Sequence, residues 1–596
     1  MSGAEDPFAH LHDEAYAAHF DAPLATYADA VATGGRRRIS LDGSWRFTPD
    51  LFDEGLRQRW FLDDERPPSE WALPRDHDPE GAAPLDVPSC WTTARAEWRY
   101  FEGAAWYERG FEWEVPSPRL VLRVGAAAQS ARVFLNGRFV ARHRGGSTPF
   151  FVELTAHLRG GENRLMVQVD NTRHAAGVPM RHFDWFNHGG LYREVDLLPL
   201  PAVFIRTFSM TLAPDGVAVG LVLSDPVDGT ARVRVPGLGL DATIVLRDGQ
   251  GAAVLGAAPA LWSPETPVLY DAEACFGEDR VTERVGFRSL ATAGEDILLN
   301  GRPIYLRGAC VHEDDALLGK ATNEADIRRR FAHARELGCN FLRLAHYPHH
   351  ERVAEIADEE GLLLWAEIPV YWAIDFANPA TYADAENQLL ELIARDRNRA
   401  SVIMWGIGNE NADTDARYAF MAGLAQAARD ADPTRLIAAA CLINRASFRI
   451  EDRLAAHLDV VGLNEYFGWY EPDFAGLERL LENSRPGKPV VISEVGADAL
   501  AGYRGRVDEL FTEECQAEIY RRQIEIVGRA SYVRGFCAWL LYDFRSERRQ
   551  TRFQRGFNRK GLIAEDKATK KLAFEVLAEH YRTLARTGQE RGPAPW

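Results

Sequence analysis

The pattern of apolar and polar positions changes character once along the chain, at Asn300-Gly301. Before it, short runs alternate apolar and polar residues, as in I-S-L-D-G-S-W-R-F from Ile39, R-L-V-L-R-V from Arg119 and A-R-V-F-L-N-G-R-F-V from Ala131. Gly, Pro, Asn and Asp break these runs, which predicts antiparallel strands joined by turns. Leu135-Asn136-Gly137-Arg138 reads as a hairpin turn, because Asn-Gly accepts the positive φ angles of a tight turn. Eight or so such strands within residues 1–200 fit a jelly-roll β-sandwich. Residues 1–35 lack periodicity and read as an arm or wrapped extension. Residues 201–289 hold a second β-rich block, from V-A-V-G-L-V-L to L-W-S-P-E-T-P-V-L-Y-D, with the spacing of an immunoglobulin-like β-sandwich. It contains no cluster of reactive side chains and reads as a spacer or packing module.

From residue 290 to 596 strand-like and helical runs alternate. The strands are read at Ile304–Cys310, Phe341–His346, Leu362–Ile368, Val402–Ile407, Leu436–Cys441, Val460–Asn464, Val490–Glu494 and Arg534–Leu541. Amphipathic helices begin at Glu324, Glu351, Asn387, Ala416, Glu513 and Lys571, with apolar residues at 3.6-residue spacing. Eight strands with this rhythm predict a (β/α)₈ TIM barrel, whose active site lies at the carboxyl ends of the strands.

Two of these strands stop at a carboxylate. S-V-I-M-W-G-I-G-N-E-N ends in Asn409 and Glu410, and K-P-V-V-I-S-E-V-G ends in Glu494. An ionised group at the end of a buried strand needs partners to leave water, so packing alone is a poor reason for it. His312, His346, Asn464, Tyr466 and Trp539 stand at other strand ends of the same mouth. Two glutamates so placed suit glycoside hydrolysis, in which one carboxyl protonates the leaving oxygen and the other attacks the anomeric carbon across about 5–5.5 Å. Glu410, beside Asn409 in an apolar strand, is expected to be the acid/base, its proton affinity raised by burial and a like charge. Glu494 is expected to be the nucleophile.

Composition narrows the picture. The 596 residues are 46% hydrophobic and 26% charged, as in a globular protein, and no run has the length of a membrane span. The opening M-S-G-A-E-D-P-F-A-H lacks the regions of a secretory signal, so a cytoplasmic location is expected. The seven scattered cysteines form no C-x-x-C pair, which argues against a zinc ribbon or a disulfide framework. A net charge of −18 argues against a nucleic-acid partner. It does not forbid an anionic small substrate whose site supplies local positive charge, since distant charges are screened within about 8 Å.

These features resemble glycoside hydrolase family 2. The resemblance runs from D-G-S-W-R-F through L-W-S-P-E-T-P-V-L-Y to N-G-R-P-I-Y-L-R-G-A-C-V-H-E-D-D, R-L-A-H-Y-P, W-G-I-G-N-E and I-S-E-V-G. It implies the same domain order, Glu410 as acid/base, Glu494 as nucleophile and Asn409 beside the sugar 2-hydroxyl, with neither metal nor organic cofactor. A homo-oligomer is the family expectation. R-F-Q-R-G-F-N-R-K-G contains Asn558-x-Lys560, similar to the motif with which β-glucuronidases hold the uronate carboxylate; a lysine charge beside an amide donor also makes a compact carboxylate receptor on physical grounds. N-E-Y-F-G-W-Y resembles a glucuronidase stretch, which makes Asn464, Tyr466 and Tyr470 candidate sugar contacts. F-D-W-F-N-H-G-G-L-Y-R resembles the loop that brings an aspartate, here Asp184, from the first domain to the sugar. Trp539 would stack beneath the pyranose, and His312 and His346 would line the pocket.

The chain departs from that pattern in places. No long insertion separates His312 from His346, which implies a small or open aglycone site. Val495 stands where tyrosine is common and Asn411 where proline is common. The sequence leaves open which of Arg552 and Arg555 faces the carboxylate. The expected activity is retaining exo-hydrolysis of a β-uronide, glucuronide first and galacturonide second. A neutral-sugar β-galactosidase and, from another class, an inactive carbohydrate-binding protein are the alternatives.

Overall fold

The computed structural model describes residues 22–62, 81–114 and 118–587. Most of the expected N-terminal arm, residues 1–21, therefore lies outside the described residues. The described residues divide into two compact units, one drawn from those within 22–31, 36–173 and 187–204, the other from those within 32–35, 174–186 and 205–587.

The first unit is a β-sandwich. Its six-stranded sheet runs Ala83–Val87, Gly43–Asp50, Ala104–Trp113, Gly161–Asp170, Ser130–Leu135, Arg138–Arg144. Its four-stranded sheet runs Ile39–Ser40, Val195–Leu200, Arg119–Val124, Phe150–Glu153. The inward residues of both sheets, among them Trp45, Phe47, Tyr107, Leu122, Val133, Val167 and Leu197, form one core. The Asn136-Gly137 hairpin forms as the sequence implies, with φ of 51° and 79°. The Asn136 side chain also bonds His157 O, Asn163 Oδ1 and the Arg164 amide at 2.8–2.9 Å, which explains asparagine there beyond its backbone tolerance.

The second unit begins with a three-stranded and a four-stranded antiparallel sheet between Ile205 and Val285. Its closing residues fasten onto the barrel. The buried Trp262 indole donates to Asp358 O at 2.9 Å, and Arg288 donates to the carbonyls of Ala400, Val402 and Thr434.

The barrel is closed by eight parallel strands: β1 (Leu306–Val311), β2 (Phe341–Leu344), β3 (Leu363–Glu367), β4 (Val402–Asn409), β5 (Leu436–Cys441), β6 (Val460–Asn464), β7 (Val490–Val495) and β8 (Val533–Ala538). Several strand bounds shift by one to three residues, with β2 ending at Leu344 and β8 at Ala538 rather than at His346 and Leu541, and three assignments differ in kind. Ile304 belongs to a separate antiparallel strand, Arg302–Ile304, so β1 starts two residues later. The helix expected from Asn387 spans Pro379–Asp396, because Asn378 caps it and Pro379 opens its first turn, a start signal hidden in a polar stretch. Between β6 and β7 an unanticipated helix, Phe474–Asn483, starts at the Asp473 cap, whereas a short 3₁₀ turn, Arg453–His457, links β5 to β6.

Trp365 on β3 fills the barrel interior below the mouth. A Cβ on Gly406 would lie 2.2 Å from its indole nitrogen, so the glycine of W-G-I-G makes room for that ring. The guanidinium of Arg343, 5.1 Å from the Trp365 ring centroid, rests on this floor.

Candidate active site

Arg343 is the hub of the mouth. It is fully buried in F-L-R-L, and a buried cation must find carboxylates. Its Nε and Nη2 bond Glu367 at 3.0 Å, Nη1 bonds Glu494 Oε1 at 2.8 Å and Nη2 bonds Asn409 Oδ1 at 2.8 Å. Burial opposes its charge, but Glu367 and Glu494 outweigh that and hold it firmly protonated.

Asn409, the last residue of β4, also accepts from Asn464 Nδ2 at 3.1 Å. With its oxygen occupied by two donors, its NH₂ group is the edge left to meet a ligand. Glu410 follows with φ of 53°, a left-handed backbone that turns its carboxyl out of the strand line. Its Oε1 accepts from Asn464 Nδ2 at 3.0 Å and its Oε2 from the Trp372 indole at 2.7 Å. Ser493 Oγ donates to Asn464 Oδ1 at 2.7 Å and so fixes that amide.

Across the mouth, Glu494 on β7 is 4% exposed. Besides Arg343 it accepts from the Tyr466 hydroxyl at 2.7 Å. Burial pushes its carboxyl up to about 8; Arg343 pulls it back, Glu410 adds to the rise, and Tyr466 opposes it. His346 Nδ1 lies 2.7 Å from Glu367 Oε1, and its ring is nearly parallel to Trp539, with centroids 5.0 Å apart. His312 stacks on Phe544 at 4.0 Å and meets Trp539 edge-on at 5.4 Å. Burial keeps both histidines well below the ordinary imidazole range, hence neutral.

A second cluster adjoins this web through Tyr466, whose ring faces Lys560 Nζ at 5.6 Å and Tyr470 at 5.3 Å. Lys560, 1% exposed, donates to the Tyr470 hydroxyl at 2.8 Å and pairs with Asp498 Oδ2 at 2.9 Å. Asn558 is buried beside it, and its Oδ1 accepts from the Lys560 amide at 3.2 Å. The short strand Phe557–Asn558 pairs with Phe544–Arg545, which ties this segment to the loop after β8. Asp184 belongs to the stretch His174–Phe186 of the same unit; its carboxylate accepts from Ser546 Oγ at 2.6 Å and from Arg549. Arg549 Nη1 completes the cluster by donating to the Tyr470 hydroxyl at 3.0 Å.

Every site residue expected from the sequence is thus found in one of two adjoining clusters. Neither Arg552 nor Arg555 joins them. Both are exposed, with Arg552 over the Phe553 ring and Arg555 bonded to Arg552 O, because the turn from Ser546 to Gly556 carries them outward and Arg549 inward. Arg343, Glu367, Trp372, Asp498 and Arg549 take part in these clusters without being among the residues to which the sequence assigned a role. The buried arginine of F-L-R-L signals a carboxylate partner such as Glu367, but no local pattern marks Trp372.

The curated relatives decide the family. The model for the TIM barrel domain of glycosyl hydrolases family 2 matches residues 290–585, that for the family's sugar binding domain residues 39–201, and a third family 2 model residues 230–288. The β-glucuronidase of Homo sapiens is 30% identical over 617 residues, covering 91% of this chain and 91% of that protein. That of Paenibacillus borealis is 29% identical over 601 residues, covering 89% and 95%. The chain belongs to glycosyl hydrolase family 2.

Solved structures similar to this family 2 hydrolase include a β-galacturonidase from Eisenbergiella tayi, 27% identical with a TM-score of 0.80, covering 92% of this chain and 97% of that one. A β-glucuronidase from an uncultured Clostridium is also 27% identical with a TM-score of 0.80, covering 93% and 99%. Two further carboxylates near the mouth of the family 2 barrel are otherwise engaged. Glu367 is held by Arg343 and His346, and Glu465 faces outward to the Phe467 amide and Gln523, its carboxyl pushed up by burial to about 8. Among the described residues no group of three or more His, Cys, Asp or Glu is placed to hold a metal ion, and no helix is long and apolar enough to cross a membrane.

Proposed function

We propose that this hydrolase releases a terminal β-linked uronic acid with retention of configuration. The observation that carries the reading is the buried Lys560, joined by Asn558, Tyr470 and Arg549, at the edge of the Glu410–Glu494 web. A buried ammonium and a half-buried guanidinium that share a phenol oxygen form a receptor suited to a carboxylate and wasteful for a neutral hydroxymethyl group. The similar β-glucuronidases and β-galacturonidase support a uronide as substrate.

In the first step the ionised form of Glu494, which the Arg343 guanidinium favours, attacks the anomeric carbon, and the glycosidic bond breaks as its oxygen takes the proton of Glu410. The product is a glycosyl ester on Glu494 and a free aglycone. In the second step Glu410 takes a proton from water, whose oxygen attacks the same carbon and expels the Glu494 carboxylate. Trp372 and Asn464 hold Glu410 at both oxygens, and Arg343 and Tyr466 hold Glu494, so neither carboxyl must reorganise during the reaction. The Asn409 NH₂ group would meet the sugar 2-hydroxyl, and Trp539 with His346 offers an aromatic wall to the pyranose. Glucuronide is the first choice of substrate, after the similar β-glucuronidases, and galacturonide the second, since the cation cluster reads the carboxylate that both share and not the 4-hydroxyl that separates them.

Two inversions at one carbon restore its configuration. Proton NMR during hydrolysis of an aryl β-uronide should therefore show the β-anomer of the free uronic acid first, with the α-anomer appearing only by mutarotation. Prompt appearance of the α-anomer would exclude the covalent route.

A further inference from the structure

Asp498 lies four residues past Glu494, is 1% exposed and touches three parts of the cationic segment at once. Its Oδ2 is 2.9 Å from Lys560 Nζ. Its Oδ1 accepts from Gln554 Nε2 at 3.1 Å and from the Arg559 amide at 2.9 Å. The same stretch is fastened to that segment through its backbone. Ala499 N donates to Arg559 O at 2.9 Å, and Gln516 Nε2 donates to Ala497 O at 2.8 Å, Lys560 O at 3.3 Å and Gly561 O at 3.2 Å. The tail of β7, which carries Glu494, and the segment that carries Lys560 are therefore joined by one buried carboxylate and its flanking bonds.

We infer that Asp498 is a positioning residue for substrate selection: it orients the Lys560 ammonium, keeps it charged, and sets its distance from the nucleophile Glu494. The inference rests on the uronide reading above and adds a residue that the Asn-x-Lys motif does not contain. A lone ammonium this deeply buried would surrender its proton, and one held only by the Tyr470 hydroxyl could swing on its four-carbon stem. Asp498 removes both freedoms. The groups facing Lys560 are Asp498, Tyr470, Tyr466 and Arg549; burial and Arg549 work against its charge, while Asp498 and Tyr470 favour it and prevail. The amide introduced by Asp498→Asn would keep the bonds from Gln554 and Arg559 but lose the charge.

The test is steady-state kinetics of Asp498→Asn and Lys560→Ala on p-nitrophenyl β-uronide and on the matching neutral hexoside, across pH. For Asp498→Asn the uronide KM should rise about 10- to 100-fold, as for loss of a charge-assisted bond, with kcat on the uronide and kcat/KM on the hexoside within about threefold. The ratio of uronide to hexoside kcat/KM, in which the ionisation of Glu410 cancels, should also begin its alkaline fall at lower pH than in the parent, because Lys560 then loses its proton sooner. An unchanged uronide KM and an unchanged pH dependence of that ratio in Asp498→Asn, with selectivity lost in Lys560→Ala, would overturn the role of Asp498 and leave the uronide reading standing. Equal losses on both substrates would overturn it too, by marking Asp498 as structural. Unchanged selectivity in Lys560→Ala would overturn the uronide reading and this inference with it. If Asp498→Asn does not fold, Asp498→Glu serves: it keeps the charge but moves Lys560, so the uronide KM should rise at least about threefold with hexoside kcat/KM retained, and an unchanged uronide KM overturns the inference.

Discussion

Glu494→Ala is expected to reduce kcat on every substrate by about 10⁴-fold or more, the scale seen when a covalent nucleophile is removed from an intact site. The reason lies in what the remaining groups can do. Arg343 still faces the vacated position, and Glu410 keeps its bonds from Trp372 and Asn464, but no atom remains to take the anomeric carbon across the first inversion. The reaction then needs an external nucleophile in the space that the carboxylate occupied. Azide should enter it beside the Arg343 guanidinium and give the α-glycosyl azide, the product of a single inversion. Enzyme assays with and without azide, and NMR of the product, read both effects. Retention of more than a hundredth of the wild-type kcat would place the nucleophile elsewhere.

Lys560→Ala should be the second largest change and a selective one. Truncating one member of a buried charge pair costs about 2–5 kcal/mol, which corresponds to roughly 30- to 5,000-fold in uronide kcat/KM. With the ammonium gone the uronate loses its buried counter-charge, while Asp498, left without its cation, is driven by burial toward its neutral form. A neutral hexoside needs no counter-charge, so its kcat/KM should change by about threefold at most. The measurement is the ratio of the two kcat/KM values in variant and parent.

The contrast between the two clusters explains how far the sequence carries. Glu410 and Glu494 are legible because each ends a run that has no other use for a charge, and the barrel rhythm says that such ends converge. The fold was legible for the same reason, since burial on both faces leaves apolar strands that polar helices interrupt. The helix starts at Pro379 and Phe474 were less visible, because their first turns are polar and their caps, Asn378 and Asp473, are single residues. Arg549 was hidden differently. Four arginines lie between Arg548 and Arg555, and only the path of the turn, with Ser546 N bonded to Gly556 O and Gly556 N to Arg549 O, decides which one points inward. Trp372 and Asp498 act through contacts made by chain folding, 38 residues from Glu410 and 62 from Lys560, and nothing adjacent in sequence marks either.

On the proposed function this barrel mouth selects a uronate through its cation cluster. The most direct measurement is kcat/KM of the unmodified enzyme, side by side, for p-nitrophenyl β-glucuronide, β-galacturonide and β-galactoside. A strong preference for either uronide over the galactoside is the predicted result, and the ratio of the two uronides then reports the 4-hydroxyl preference. A galactoside turned over faster than both uronides would contradict the claim and leave Lys560 and Arg549 without a substrate carboxylate to read.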